Sequence, residues 1–407
     1  MANKDHARLD ELQRDPYPLY ARARQAEGLT FVPELDAWLV ARDADVREVL
    51  RRPEEFSSVR ALLPDVMPSP AALEVLAKGY GKRPTVVSTD GAAHQRHRAP
   101  LNRGLSAGRI AALVPYAAER ATVLVDGFAG GGAVELMSAY ARQLPGQVIG
   151  RLLGFDPADV PAAVHGGHRA EQLLFRPMST EDQVAAAHDV VALQQMLDAY
   201  IRDRREHPRD DLCSLMVAAL APGGGELTLD QRHELVSNLQ NFLIAGHLTT
   251  TALIGSTLFH LLRDRRQWEL LCGQPELILA AVEEAARYDS AVQGFRRTTT
   301  RPVTIAGTEL PPGSTVFVAY GSANRDERRY DRPDVFDITR RLSRQHVAFG
   351  HGAHGCPGSQ LAREQLRLTL GLFARRLPGL RIDEDQPPVV MRPTMIHRSP
   401  EALHLAW

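Results

Sequence analysis

The chain has 407 residues, 44% hydrophobic and 24% charged, enough to bury one large core or two to three domains of roughly 150 residues each, which excludes a disordered or fibrous protein. Forty-eight Lys and Arg stand against forty-nine Asp and Glu, a net charge of −1, so no global field draws nucleic acid or an anionic membrane. Only Lys4, Lys78 and Lys82 are lysines, an arginine bias that reads as high-GC codon usage. The stretch after Met1 is polar through Asp10 and lacks the apolar segment of an export signal; nowhere do ~18 apolar residues run uninterrupted. Cys213, Cys272 and Cys356 lie far apart with no Cys-x-x-Cys pair, as expected of a reducing, cytoplasmic compartment.

In chain order, residues 17–25 read as a short helix, and 29–32 and 37–40 as extended runs joined through Pro33 and Leu35 into a hairpin. From Asp43 onward apolar residues recur at three- and four-residue spacing, predicting helices over 44–51, 93–103, 107–128, 134–153 and 181–204. The longest candidate, 228–264, opens on Thr228 as a cap, carries Asp230 in its first turn and holds no proline. Pro275 opens a helix through Tyr288. Strand-like 303–305 and 315–319 follow among prolines and glycines, and a last helix is expected over 356–377. With no repeat or low-complexity linker, the expectation is a mainly α fold with a small β-rich lobe, residues 1–407 forming a single domain.

Three motifs compete for the chemistry. Gly350-His351-Gly352-Ala353-His354-Gly355 fits the dinucleotide fingerprint G-x-G-x-x-G, but no Asp or Glu occurs between Glu364 and Asp383 to hold a ribose hydroxyl. Gly104-Leu105-Ser106-Ala107-Gly108 spells a nucleophile elbow, yet an arginine-rich helical segment precedes it where a buried strand is required. Ser106 reads better as a helix N-cap. The third motif centres on Cys356, directly after the glycine-rich loop and at a helix start. There, backbone N–H groups and the positive end of the helix dipole favour a thiolate.

Read in full, Phe349-Gly350-His351-Gly352-Ala353-His354-Gly355-Cys356-Pro357-Gly358 resembles the heme-binding loop of the cytochrome P-450 superfamily, F-G-x-G-x-H-x-C-x-G, at every fixed position. The resemblance implies a single-domain heme-thiolate fold binding heme b, with Cys356 as the iron ligand whose electron donation favours O–O cleavage. Phe349 and Gly350 would then shape the loop under the porphyrin, and Gly358 would let the following helix lie close to it. The resemblance extends over nearly the whole chain. Glu284-Ala285-Ala286-Arg287 matches the family's E-x-x-R, with Arg340 as third member of a structural network. His94-Gln95-Arg96-His97-Arg98 resembles the H-x-x-x-R whose spacing puts two cations on one helix face. With Arg297 and His354, His94 and Arg98 would receive the heme propionates.

In the long helix, Ala245-Gly246-His247-Leu248-Thr249-Thr250 resembles the oxygen-activation segment A-G-x-[DE]-T-T with one departure: Leu248 stands where an acid would feed protons. Ala245, Gly246 and Thr249 are the catalytic candidates. Phe242, Leu248, Gln293, Phe295 and Ile396 are the candidates for the substrate pocket, with His397 a further polar group. The family implies hydroxylation or epoxidation of a small organic molecule in bacterial secondary metabolism. Electrons would come from a ferredoxin and its NAD(P)H reductase, docking on a face where Arg103, Arg344, Arg363 and Arg367 gather. A monomer is expected, with no nucleic acid and no membrane partner. Leu248 keeps open an oxidative coupling or cyclisation enzyme without oxygen insertion, and a non-catalytic heme sensor is the reading from another class.

Overall fold

The computed structural model describes residues 6–341 and 345–407. Its chain groups into two compact units: one of Met1–Ser57, Val114–Pro145 and Thr249–Trp407, the other of Ser58–Leu113 and Gly146–Leu248.

The first unit holds the strands. Thr30–Val32 and Ala37–Val40 form the expected hairpin, with Thr30 opposite Leu39. Ala37–Val40 then pairs in parallel with Thr315–Ala319, which pairs antiparallel with Gly294–Thr299, and Phe56–Ser57 closes the far edge of a five-stranded sheet. Val40, Val46, Leu50, Phe56, Val316, Val318, Tyr320 and Val347 are buried together on this sheet. The alternation of strand side chains thus anchors both the helix Asp43–Arg51 and the segment entering the Cys356 loop. A two-stranded hairpin, Val303–Ile305 with Thr308–Leu310, turns through Ala306 and Gly307, both at positive φ, as a two-residue turn of this kind requires.

The helix expected over 134–153 is in fact three elements. Ala133–Glu135 is a strand, Val134 pairing with Leu405 of His404–Ala406. Met137–Ala141 follows as a π-helical turn, and Gln143–Leu153 is the helix proper. The Glu135 carboxylate accepts the Met137 and Ser138 N–H groups at 2.9 and 2.8 Å, so it caps the turn and ends the strand. The last helix runs Ser359–Arg376 rather than from Cys356, because Pro357 and Gly358 suit the turn before a helix better than its interior.

The second unit is helical: Gly91–Gly104, Val160–Phe175, Thr180–Glu206 and Leu212–Leu220, with Ala72, Val75, Ala170, Leu173, Ala186 and Val190 in its core. Ser106 precedes the helix Ala107–Asp126 and its carbonyl accepts the Ile110 N–H at 3.0 Å, as an N-cap does. The long helix, Leu229–Arg263, starts in a reciprocal cap: Thr228 Oγ1 accepts the Gln231 N–H at 3.2 Å and Gln231 Oε1 accepts the Thr228 N–H at 2.9 Å. It is long and apolar enough to cross a bilayer, yet 72% of its most apolar window is buried in the protein.

Candidate active site

The Cys356 loop is built from its backbone outward. The Val347 N–H donates to Asn324 Oδ1 at 2.7 Å, fixing the entry. The Gly350 N–H donates to the Val347 carbonyl at 2.8 Å, and the Cys356 N–H returns to the Phe349 carbonyl at 2.7 Å. Gly350 and Gly352 adopt φ of 72° and 69°, which side chains other than glycine disfavour. A Cβ on Gly352 would also meet the Leu50 carbonyl oxygen at 2.5 Å. The chain therefore rises through a short 3-10 turn, Gly352–His354, and leaves Cys356 exposed just before an 18-residue helix.

Behind the loop lies a buried charge network. Both Arg287 and Glu284 are fully buried, joined by two hydrogen bonds of 2.8 Å. Arg287 also donates to the carbonyls of Asn324 and Pro333 at 2.9 and 2.8 Å. Arg340 Nε reaches Glu284 at 3.2 Å, and the Asp337 N–H donates to the same carboxylate at 3.0 Å. Asn324, absent from the sequence expectations, links this network to the loop: its carbonyl faces Arg287 while its side-chain oxygen holds Val347. A buried Asn whose every polar atom is bonded is a frame element, but a lone Asn in a turn carries no signal in a sequence.

A second cluster flanks the first. Glu283 receives Arg363 at 2.6 and 3.0 Å and His346 at 2.9 Å. Arg363 was expected on an electron-donor docking face. With its side chain 12% exposed and paired to Glu283, it is not available to a partner. Arg367 pairs with Glu364 and is partly exposed, and Arg103 is exposed. Arg344 lies outside the described residues.

On the long helix, Ala245 is exposed and Gly246 and Thr249 are half-buried, an accessible stripe at i, i+1 and i+4. Leu248 is buried, 3% exposed. A Cβ on Gly246 would come within 2.6 Å of Ile149 Cδ1, so a side chain there would have to displace the end of Ile149. His94 is buried on Gly91–Gly104, and desolvation, then the neighbouring Arg98, hold its pKa below the usual value. Arg98, one turn on, donates to Asn102 at 2.9 Å. Arg297 is buried on Gly294–Thr299, bonded to the Arg296 carbonyl at 2.9 Å and to the Tyr320 hydroxyl, and that hydroxyl lies 4.0 Å from where a Cβ on Gly350 would sit. His354 is half-buried in the 3-10 turn.

Among the pocket candidates Phe242 is buried, and Phe295 and Ile396 are half-buried. Gln293 was expected to orient substrate. Its amide nitrogen instead donates to the Ser290 carbonyl at 2.7 Å and the Tyr17 hydroxyl at 3.3 Å, and its backbone N–H to Met395 at 2.7 Å. It belongs to the frame behind the wall. His397 is likewise buried.

These residues fit a heme ligated by sulfur. Burial pushes the Cys213 thiol up to about 12 and raises Cys272 as well, so neither presents a thiolate, whereas Cys356 is exposed at a helix N-terminus. Gly358 leaves the neighbourhood of the sulfur open: a Cβ there would sit 3.9 Å from Cys356 Sγ.

Comparison with known proteins agrees. Residues 274–406 match the family model described as cytochrome P450. Cytochrome P450 107B1 from Saccharopolyspora erythraea is 31% identical over 97% of this chain and 95% of its own length. A vitamin D(3) 25-hydroxylase from Pseudonocardia autotrophica is 36% identical over 89% of this chain and 87% of its own. Among solved structures, cytochrome P450 CREJ in complex with (4-ethylphenyl) dihydrogen phosphate superposes with a TM-score of 0.89 at 29% identity, covering 97% of this chain and 98% of that one. Similarity that runs the length of the chain, together with a helical fold and a thiol-bearing loop built on glycines, makes this protein a member of the cytochrome P450 family, oxidoreductases that work as monooxygenases and bind heme b.

Proposed function

We propose that this protein hydroxylates or epoxidises a small organic molecule in the cytoplasm of a bacterium, as a step of secondary metabolism, with Cys356 as the iron ligand. The observation that carries this reading is the exposure of Cys356 alone among three cysteines, on a loop whose turns and anchoring leave it little freedom. When bound, heme b supplies dioxygen activation at the cost of two electrons and two protons per turnover.

The chain's own residues supply the rest. Cys356 stands directly before the N-terminus of Ser359–Arg376, where the positive end of a helix dipole favours an anionic ligand. Phe349, Gly350 and Gly358 give the loop its shape, and Glu284, Arg287 and Arg340 hold it from behind. His94, Arg98, Arg297 and His354 are assigned to the propionates, whose charges need hydrogen-bonded counterions. Ala245 and Gly246 keep side-chain bulk away from the accessible stripe, and the Thr249 hydroxyl orients a water and passes its proton. Phe295 and Ile396, both half-buried, are assigned to apolar walls for the substrate. Electrons are assigned to a ferredoxin and its NAD(P)H reductase, a reading supported by the match of nearly the whole chain to a cytochrome P450 of similar length.

Leu248 favours a second reading, oxidative coupling or ring closure without oxygen insertion, because an apolar side chain at this position removes the usual proton donor. Candidate metabolites are screened for a heme spin-state shift, and the product of the best binder is then made under isotopic dioxygen. The proposal expects one heavy oxygen in the product. A product short of two hydrogens and free of label overturns it in favour of the second reading.

A further inference from the structure

We propose that Arg363 is a positioning residue for the Cys356 loop and acts through the ring of Phe349, an inference that rests on Cys356 being the iron ligand. The Arg363 guanidinium lies 4.3 Å above the centre of the Phe349 ring. Its plane is set by a two-pronged contact, Nε with Glu283 Oε1 at 2.6 Å and Nη2 with Glu283 Oε2 at 3.0 Å, the fork geometry that distinguishes arginine from lysine. His346 Nε2 bonds to Glu283 Oε2 at 2.9 Å, while its Nδ1 accepts the Ala348 N–H at 3.3 Å. One neutral tautomer, with its proton on Nε2, serves both bonds and ties the carboxylate to the loop backbone. Phe349 in turn accepts the Cys356 N–H through its carbonyl at 2.7 Å. A chain of contacts therefore runs from Glu283 through Arg363 and Phe349 to the residue that carries the sulfur.

The cluster works by shape. Burial opposes the Glu283 charge, but hydrogen bonds from His346 and Arg363 hold its pKa down to about 2, and burial lowers that of His346. The Glu283 carboxylate and the Arg363 guanidinium offset each other's charge. Nor does the helix need Arg363 to dock: Leu361, Leu366, Leu370 and Phe373 on the same helix are already buried. What remains specific to Arg363 is the flat cation over Phe349, a contact that strengthens when desolvated.

The test follows the thiolate-specific absorption of the reduced carbonyl complex of the holoenzyme and measures how fast it decays at a fixed elevated temperature. Arg363→Lys keeps the charge but loses the fork and the guanidinium over the ring. Glu283→Gln combined with Arg363→Met removes both charges, so no buried ion is left without a partner. Both variants are expected to lose the band roughly three- to tenfold faster than the native protein, the size a partly desolvated cation–π contact supports. Placing the paired substitution on Phe349→Leu is expected to add little further loss, because the ring through which Arg363 acts is already gone. Native decay in Arg363→Lys, or fully additive losses in the combined variant, overturns the inference. Cys356→Ala separates the two levels: if it retains the band, the ligand assignment has failed; if it loses the band while Arg363→Lys decays as native, only the role of Arg363 has failed.

Discussion

Around Cys356 the backbone is irregular and its bends are held by glycines and buried charges, whereas around Thr249 the backbone is one continuous helix and the variation lies in side chains alone. The loop depends on groups far apart in sequence: Asn324 and Glu283 bond residues 346–363 directly, and Glu284 stands behind Asn324 through Arg287. Removing any one leaves buried polar atoms without partners, so the region tolerates little change. On the helix, Leu248 replaces an acid without disturbing a backbone bond, and Gly246 answers to the packing of Ile149. The lesson is that binding of the prosthetic group is fixed by a cooperative frame, while the course of the reaction is tuned by single residues that the frame does not constrain.

The sharpest way to break this contrast is Arg287→Ala. It strands Glu284, fully buried, at a cost of ~3–5 kcal/mol, and should give heme-poor protein with a much lower melting temperature. Native melting would show that the frame is not cooperative. Acid titration tests the neighbouring cluster. The Glu283 pKa is held at about 2 against about 4.5 in the unfolded chain, so its stabilisation is fully present above pH ~4.5 and is lost as pH falls toward ~2. Stability on the order of 3 kcal/mol is at stake, and Glu283→Gln should flatten this acid limb in denaturant titrations at stepped pH.

On the helix the effects belong to chemistry and leave folding intact. Thr249→Ala should lower product formed per NAD(P)H consumed if the water route operates, since a general acid–base group commonly contributes ~10²–10⁴-fold to the step it serves, with hydrogen peroxide as the waste and melting nearly unchanged. Little change would mean that the substrate supplies the protons. The smallest effect is expected from Leu248→Glu. This position is buried, burial raises a carboxyl pKa, and charging it is unfavourable, so coupling should not improve. A large gain would show that Leu248 is a handicap and that no adapted proton route exists.

The sequence made the loop legible because glycines at fixed spacing and a cysteine before a helix are rare together, whereas E-x-x-R, a common surface pair by its i, i+3 spacing alone, became legible only through the resemblance that the loop carries. Asn324 and the Glu283, His346 and Arg363 cluster escaped notice, since ordinary polar residues gain meaning only from partners distant in the chain. The same blindness explains Arg363 and Gln293: side-chain type suggested a surface and a pocket, but burial and hydrogen bonds assign both to the frame. The hairpin over residues 30–40 was readable from local alternation. Val134 was not, because its strand pairs with Leu405, and the helix Val160–Phe175 went unread because Gly166 and Gly167 interrupt its periodicity.

The central claim, that Cys356 alone can hold the iron, meets its most direct test in the spectrum of the reduced carbonyl complex across three variants. Cys213→Ala and Cys272→Ala should keep the thiolate-specific band, and Cys356→Ala should lack it entirely. A band that survives in Cys356→Ala and disappears in either of the others would contradict the account.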